Sequence, residues 1–217
     1  MMRVKEYKQL NVTRWVMVVA ILITYHLSLI TASAQTVALK TDGQDPKYVE
    51  TIKGRAQKIV DGLKLTDAQQ AENVRNIVAN RYFLLNDIHS KYDKKTQQDA
   101  LQADLYKHHF ELESALAQYL TEEQIDAVKD GMTYGRLKRD YNAQLEMIPT
   151  LTEEEKLQVL IWLKEAREFA MDGSDSKQKH FWFDKYRGRT NNWLSSRGYD
   201  LKKEREAWQK RMNRSDK

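Results

Sequence analysis

The sequence predicts an all-α protein, a single helical domain of about seven helices in a bundle-like array behind an N-terminal signal peptide. Three observations predict it. Apolar residues recur at three- and four-residue steps along most of the chain, the period of a helix with one buried face. The only two prolines are Pro46 and Pro149, and no stretch alternates apolar and polar residues as a half-buried strand would. Three segments open on Leu-Thr and carry Gln or Glu three residues after the Thr, the spacing of a helix capping box.

Residues 1–34 read as a secretory signal. Arg3, Lys5, Lys8 and Arg14 form a basic start, Trp15 to Ile30 an apolar run, and Ala32-Ser33-Ala34 the small residues of a cleavage site. The run of about 16 residues is short for a bilayer span, which needs about 20. The expectation is an exported protein, periplasmic or secreted, with no membrane association after signal cleavage. The chain has no cysteine, so it is not expected to be a lipoprotein and cannot rely on disulfides. The remaining 183 residues suffice for one domain with a sizeable core.

Residues 35–45 read as a flexible polar leader, 46–213 as the helical domain and 214–217 as a tail. The first helix is expected over about 46–61, capped by Asp45, opened by Pro46 and closed by Gly62. A second follows over about 67–92, with Val74, Ile77, Val78, Tyr82, Leu85 and Ile88 on one stripe. A third spans about 96–119, and a fourth starts at Glu122. Gly131 and Gly135 then mark a break or a close helix crossing, and the break is the favoured reading. A segment carrying Leu137, Tyr141 and Leu145 runs on to Pro149, which ends it. The fifth helix is expected over about 153–171, with Leu157, Leu160, Ile161, Lys164 and Phe169 along its stripe. Asp172-Gly173-Ser174 is a turn. The sixth helix covers about 176–196, stopped by Gly198, and the seventh about 201–212.

The Leu-Thr segments start at Leu65, Leu120 and Leu151, with Thr66, Thr121 and Thr152 as expected caps and Gln69, Gln124 and Glu155 as their partners. The first two resemble the Leu-Thr-x-x-Gln repeats of the Spy family of periplasmic chaperones; the third departs from them at Glu155. That likeness implies a cradle for unfolded clients, while capping alone also explains the pattern.

Charge is distributed unevenly. Residues 176–217 carry 13 Lys and Arg against 5 Asp and Glu, whereas residues 35–175 carry 19 against 25. A basic end on an acidic body either binds a polyanion or pairs with that body. Nucleic acid is not an expected partner of an exported chain. No metal site, cofactor motif, Gly-rich phosphate loop or nucleophile elbow is present, and His89, His108 and His109 lack the spacing of a metal pair on one helix.

The sixth helix has more rings and cations than packing requires. Phe183, Tyr186, Thr190, Trp193 and Leu194 fill one stripe. His180, Trp182, Lys185, Arg187, Arg189, Asn191 and Asn192 remain for another surface, with Tyr186 at its edge and Arg167 from the preceding helix as a further cation. Ring faces that stack on a sugar, beside cations that pair with its carboxylate, suit an acidic oligosaccharide. The alternative is that neighbouring helices bury this helix on both sides.

Asp130-Gly131-Met132-Thr133-Tyr134-Gly135, Met147-Ile148-Pro149, Glu165-Ala166-Arg167-Glu168, Lys185-Tyr186-Arg187-Gly188-Arg189-Thr190-Asn191-Asn192-Trp193-Leu194 and Gly198-Tyr199-Asp200-Leu201 resemble the signature blocks of domain-of-unknown-function family 3826. The likeness spans about residues 50–210, with Arg187, Thr190 and Trp193 as conservative departures. It implies a secreted helical protein from a glycan-degrading bacterial background, and no established activity.

The leading expectation is therefore a binding or accessory protein for an acidic oligosaccharide. An alternative is a glycan-active enzyme. As a lyase it would use His180 or Tyr186 as base and Lys185, Arg187 or Arg189 as cation. As a hydrolase it would use a carboxylate pair such as Glu168 and Asp184. A Spy-like chaperone is the other alternative.

Overall fold

The computed structural model describes residues 36–215, so the expected signal peptide and its cleavage site lie outside the described residues. From Ala38 onward the chain forms one unit. Among the described residues there are nine helices and no strand. They are α1 (Pro46–Leu63), α2 (Ala68–Lys91), α3 (Gln98–His108), α4 (Glu111–Leu116) and α5 (Glu122–Met132), followed by α6 (Arg136–Met147), α7 (Glu153–Met171), α8 (Ser176–Ser196) and α9 (Leu201–Ser215). None of these is long and apolar enough to cross a membrane.

Local chemistry sets most boundaries. Asp45 caps α1 by accepting the Tyr48 N–H, and Pro46 sits in the first turn. Gly62 does not end the helix: α1 continues to Leu63, and Lys64 closes it in the left-handed region at φ 53°. The first Leu-Thr segment is also displaced by one residue. Asp67, not Thr66, caps α2, accepting the N–H groups of Gln69 and Gln70, as expected where a stronger N-cap follows a weaker one. The other two segments form reciprocal capping boxes, Thr121 with Gln124 on α5 and Thr152 with Glu155 on α7. Residues 38–40, expected in a flexible leader, are tied down. The Lys40 N–H donates to Asn80 Oδ1 at 2.8 Å, and Asn80 Nδ2 donates to the Ala38 carbonyl at 2.9 Å.

The expected third helix is two helices, α3 and α4, separated at His109-Phe110. Arg81 Nη1 donates to the His108 carbonyl at 2.7 Å, drawing that oxygen from the helical ladder. The glycine pair does both things its spacing allowed. Gly131 is inside α5, where an added Cβ would meet Ile59 of α1 at 3.0 Å, so it permits a close crossing. Tyr134 and Gly135 both take positive φ (61° and 62°) and make the break before α6. Only the second of them adopts this region without steric cost.

Hairpin α7–α8 packs on α6, while α1 packs on α2 and α5. Leu137, Val159, Leu163, Ala166, Ala170, Phe183 and Tyr186 form one apolar cluster among α6, α7 and α8. Leu85, Ile88, Leu101 and Leu105 join α2 to α3. A third cluster, of Met147, Ile148, Leu151 and Leu194, receives Tyr199, Leu201 and Trp208 from the C-terminal end. The expected stripe on α7 is wrong in part. Leu157, Ile161 and Phe169 are exposed, while Val159, Leu163, Ala166 and Ala170 are buried. That helix has apolar residues on more than one face, so periodicity alone did not select the buried one.

Glu155 belongs to a buried junction as well as to its cap. It accepts from the Tyr199 hydroxyl at 2.7 Å, from Arg197 Nε at 2.7 Å and from the Thr152 N–H at 2.9 Å. Foremost the Tyr199 bond, then the Thr152 N–H and Arg197, hold its carboxyl down to about 2 from the ordinary 4.5. A depressed acid adds stability that is present above its unfolded pKa and lost as pH falls through the folded one. Stability in urea is therefore expected to decline between pH 4.5 and about 2. Glu155→Gln should flatten that part of the profile; an unchanged acid limb would refute the assignment.

Candidate functional site

Helix α8 is capped by Asp175, which accepts the Gln178 N–H, and buries Phe183, Tyr186, Thr190 and Leu194 along one side. At about 100° per residue, Trp182, Lys185, Arg189 and Trp193 fall on one flank of that buried side, and Arg187 and Asn191 on the other. The residues grouped together from sequence thus divide between two surfaces. The helix is neither wholly enclosed nor exposed along one continuous site.

On the α7 flank the rings and cations form a strip. Trp182 stacks on Phe169 of α7 at 4.6 Å between ring centres, and Phe181 meets Trp182 edge-on at 5.6 Å. Lys185 Nζ lies 4.8 Å from the Trp182 ring centre. One turn further, the Arg189 guanidinium sits 4.6 Å from the Trp162 ring centre and pairs with Glu165 at 3.4 Å. Trp193 packs edge-on against Trp162 at 5.1 Å, and Arg197 lies 5.0 Å from the Trp193 ring centre. Lys185 and Arg189 are exposed and Trp182 is half-buried. Asn192 is exposed on the outer side of the helix.

On the opposite flank, Arg187 and Asn191 line a cleft of about 490 Å³ walled by α6, α7, α8 and α9. Gln144, Arg205 and Trp208 line it with them, over a base that includes Val159 and Leu163. Arg187 pairs with Asp184 at 3.2 Å. Asp140 is the acid in the lining, and it accepts from Arg136 at 2.7 and 3.0 Å.

The remaining expected site residues are engaged elsewhere. His180 accepts from Arg136 Nη1 at 3.0 Å through Nδ1 and lies against the Tyr134 ring. Tyr186 is buried, and burial together with Glu165 pushes its hydroxyl up to about 12, opposite to what a base at neutral pH requires. Arg167, 2 % exposed, donates to Asp130 at 2.7 Å and to the Asp126 carboxylate at 2.5 Å, clamping α7 to α5. Glu168 pairs with Lys129 at 3.0 Å, whereas Asp184 pairs with Arg136 and Arg187, so the two carboxylates belong to separate networks.

A model of the family described as protein of unknown function (DUF3826) matches residues 49–102 and 93–214. The chain belongs to this family. No curated protein matches it. The blocks that carry the family resemblance meet in space. Asp130 receives Arg167, and Met147, Ile148 and Leu194 share one apolar cluster with Tyr199 and Leu201.

Sequence reasoning missed a buried polar cluster at the α7–α8 turn. Asp172 accepts from Arg81 at 2.5 Å and from His109 Nδ1 at 2.7 Å, and its carbonyl meets His89 Nε2 at 2.7 Å. The histidines are 20 residues apart in sequence, so spacing carried no signal. Lys179 was missed too. It is 3 % exposed and donates to the Met132 carbonyl, and burial pushes its ammonium down to about 8. Among the described residues no group of three acids or histidines could hold a metal ion. Trp208 was missed as well, because nothing in periodicity indicates that α9 folds back over α6.

Proposed function

We propose that this chain is an exported binding or accessory protein that holds an acidic polysaccharide chain along the α7–α8 strip. The observation that carries the reading is the repeat of cation and indole along one seam: Lys185 with Trp182, Arg189 with Trp162, and Arg197 with Trp193. An extended strip suits a polymer better than a small molecule, because each sugar can find a ring face and each carboxylate a cation. Successive units fall about one or two helical turns apart, near 5.4 Å per turn. Lys185 need only pivot from ring to carboxylate, so little conformational order is lost there on binding, whereas Arg189 and Arg197 share their charge between the ligand and Glu165 or Glu155.

Calorimetry of the full chain with galacturonate oligomers is expected to give saturable binding that weakens with added salt. Arg189→Ala and Lys185→Ala are each expected to weaken it roughly three- to tenfold, as loss of an exposed charged contact would. Absence of heat with acidic oligomers, or affinity unchanged from wild type in both variants, would sink the reading.

A further inference from the structure

We propose that the cleft between α6, α7, α8 and α9 is a separate binding site for a small amphipathic carboxylate. Two buried donors point to a ligand. Gln144 is 9 % exposed, and its Nε2 has no hydrogen-bond partner; Trp208 Nε1 is likewise buried and unpartnered. Both residues line the cleft. An indole N–H can only donate, and a buried donor left unmet is costly, so a guest whose seating turns either group slightly toward the cleft supplies an acceptor that the described residues do not. Neither has a structural explanation of the kind that Arg167 has, whose other nitrogens are fully engaged by Asp126 and Asp130.

The remaining polar lining narrows the chemistry. Arg187 and Arg205 contribute two guanidiniums, and Arg205 has no ion pair among the described residues. The one acid of the lining, Asp140, is already held by Arg136. The balance is donor-rich and positive, which selects an anion with further acceptor atoms. Exposed guanidiniums stand above a base of Val159 and Leu163, which are 1 % and 5 % exposed. A guest that satisfies both ends has a carboxylate at the mouth, an apolar body over these side chains, and a second oxygen for Gln144 and Trp208. The volume of about 490 Å³ accommodates a molecule of one or two rings. Because the strip lies on the other flank of α8, this site stands whether or not a polysaccharide binds there.

The probes are 4-hydroxyphenylacetate and 4-hydroxycinnamate, titrated by calorimetry into the full chain at millimolar concentrations, with 4-hydroxyphenylethanol as the uncharged comparison. At least one acid is expected to bind saturably, and the alcohol about tenfold more weakly or not at all. Arg205→Met removes an exposed charge and Gln144→Leu conserves volume, so both are expected to keep the native circular dichroism. Each should weaken the acid about tenfold, whereas Lys210→Ala on the same helix should not. Failure of both acids to saturate would overturn the proposal. So would unchanged affinity in Arg205→Met and Gln144→Leu, or equal binding of acid and alcohol.

Discussion

Asp172→Ala is expected to destabilise the fold by about 3–5 kcal/mol, the usual cost of removing one partner from a buried ion pair. Asp172 neutralises Arg81, whose side chain is 3 % exposed, and orients His109 through Nδ1. Removing the carboxylate leaves that guanidinium with the His108 carbonyl as its remaining acceptor, and it strands a charge in a place that water reaches poorly. The pH profile identifies the cause. The Asp172 hydrogen bond, against the opposing effect of burial, raises His109 above its ordinary 6.5. A raised base contributes stability that is complete below its unfolded pKa and disappears as pH rises through the folded one. The wild-type chain should therefore lose stability from 6.5 upward, and Asp172→Ala should lose that slope along with the larger constant term. Urea unfolding across this range reads both quantities. A cost below about 1 kcal/mol, in the range of an exposed pair, would show that Arg81 finds other company.

The cluster also shows where sequence reading stops. Helical class, the second and third capping boxes, the stop at Pro149, the buried stripe of α2 and, apart from the half-buried Trp193, that of α8 are local matters, set by residues within a few turns of one another. They were legible for that reason. Thr66 lost its cap to the neighbouring Asp67, a competition between adjacent residues that spacing does not arbitrate. The exposure of Leu157 and Ile161 depends on which neighbour α7 meets, and that is a tertiary fact. The candidate site divides in the same way. That α8 carries surplus rings and cations was visible in its composition. That Arg187 and Asn191 face a cleft while Lys185 and Arg189 lie over indoles depends on α6 and α9 closing one flank and α7 the other. Arg167 was grouped with the ligand-facing cations because it is charged and near in sequence; its acceptors, Asp126 and Asp130, are about forty residues away. Gln144 and Trp208 carry no motif, and only their missing partners draw notice.

The largest fully buried side chain makes the other large prediction. Phe183 is 0 % exposed, at the centre of the α6–α7–α8 cluster, with the Arg136 guanidinium 5.3 Å from its ring centre. Ala166 and Ala170 of α7, both fully buried, are four residues apart and therefore on one face. Their small side chains leave the space that lets α8 approach and seat the ring. Phe183→Ala is expected to cost about 3–5 kcal/mol, combining lost transfer energy with an unfilled cavity. Phe183→Leu keeps most of the volume and should cost about 1–2 kcal/mol. Urea midpoints at an unchanged slope would report both as losses of native stability. The strip and the cleft flank the same buried side of α8, so Phe183→Ala should also weaken ligands at both, whereas Arg205→Met should affect the cleft alone. If Phe183→Ala cost no more than Phe183→Leu, the helices would be closing over the gap. Fixed spacing between α7 and α8, on which both proposed surfaces rely, would then have to come from the ion pairs instead.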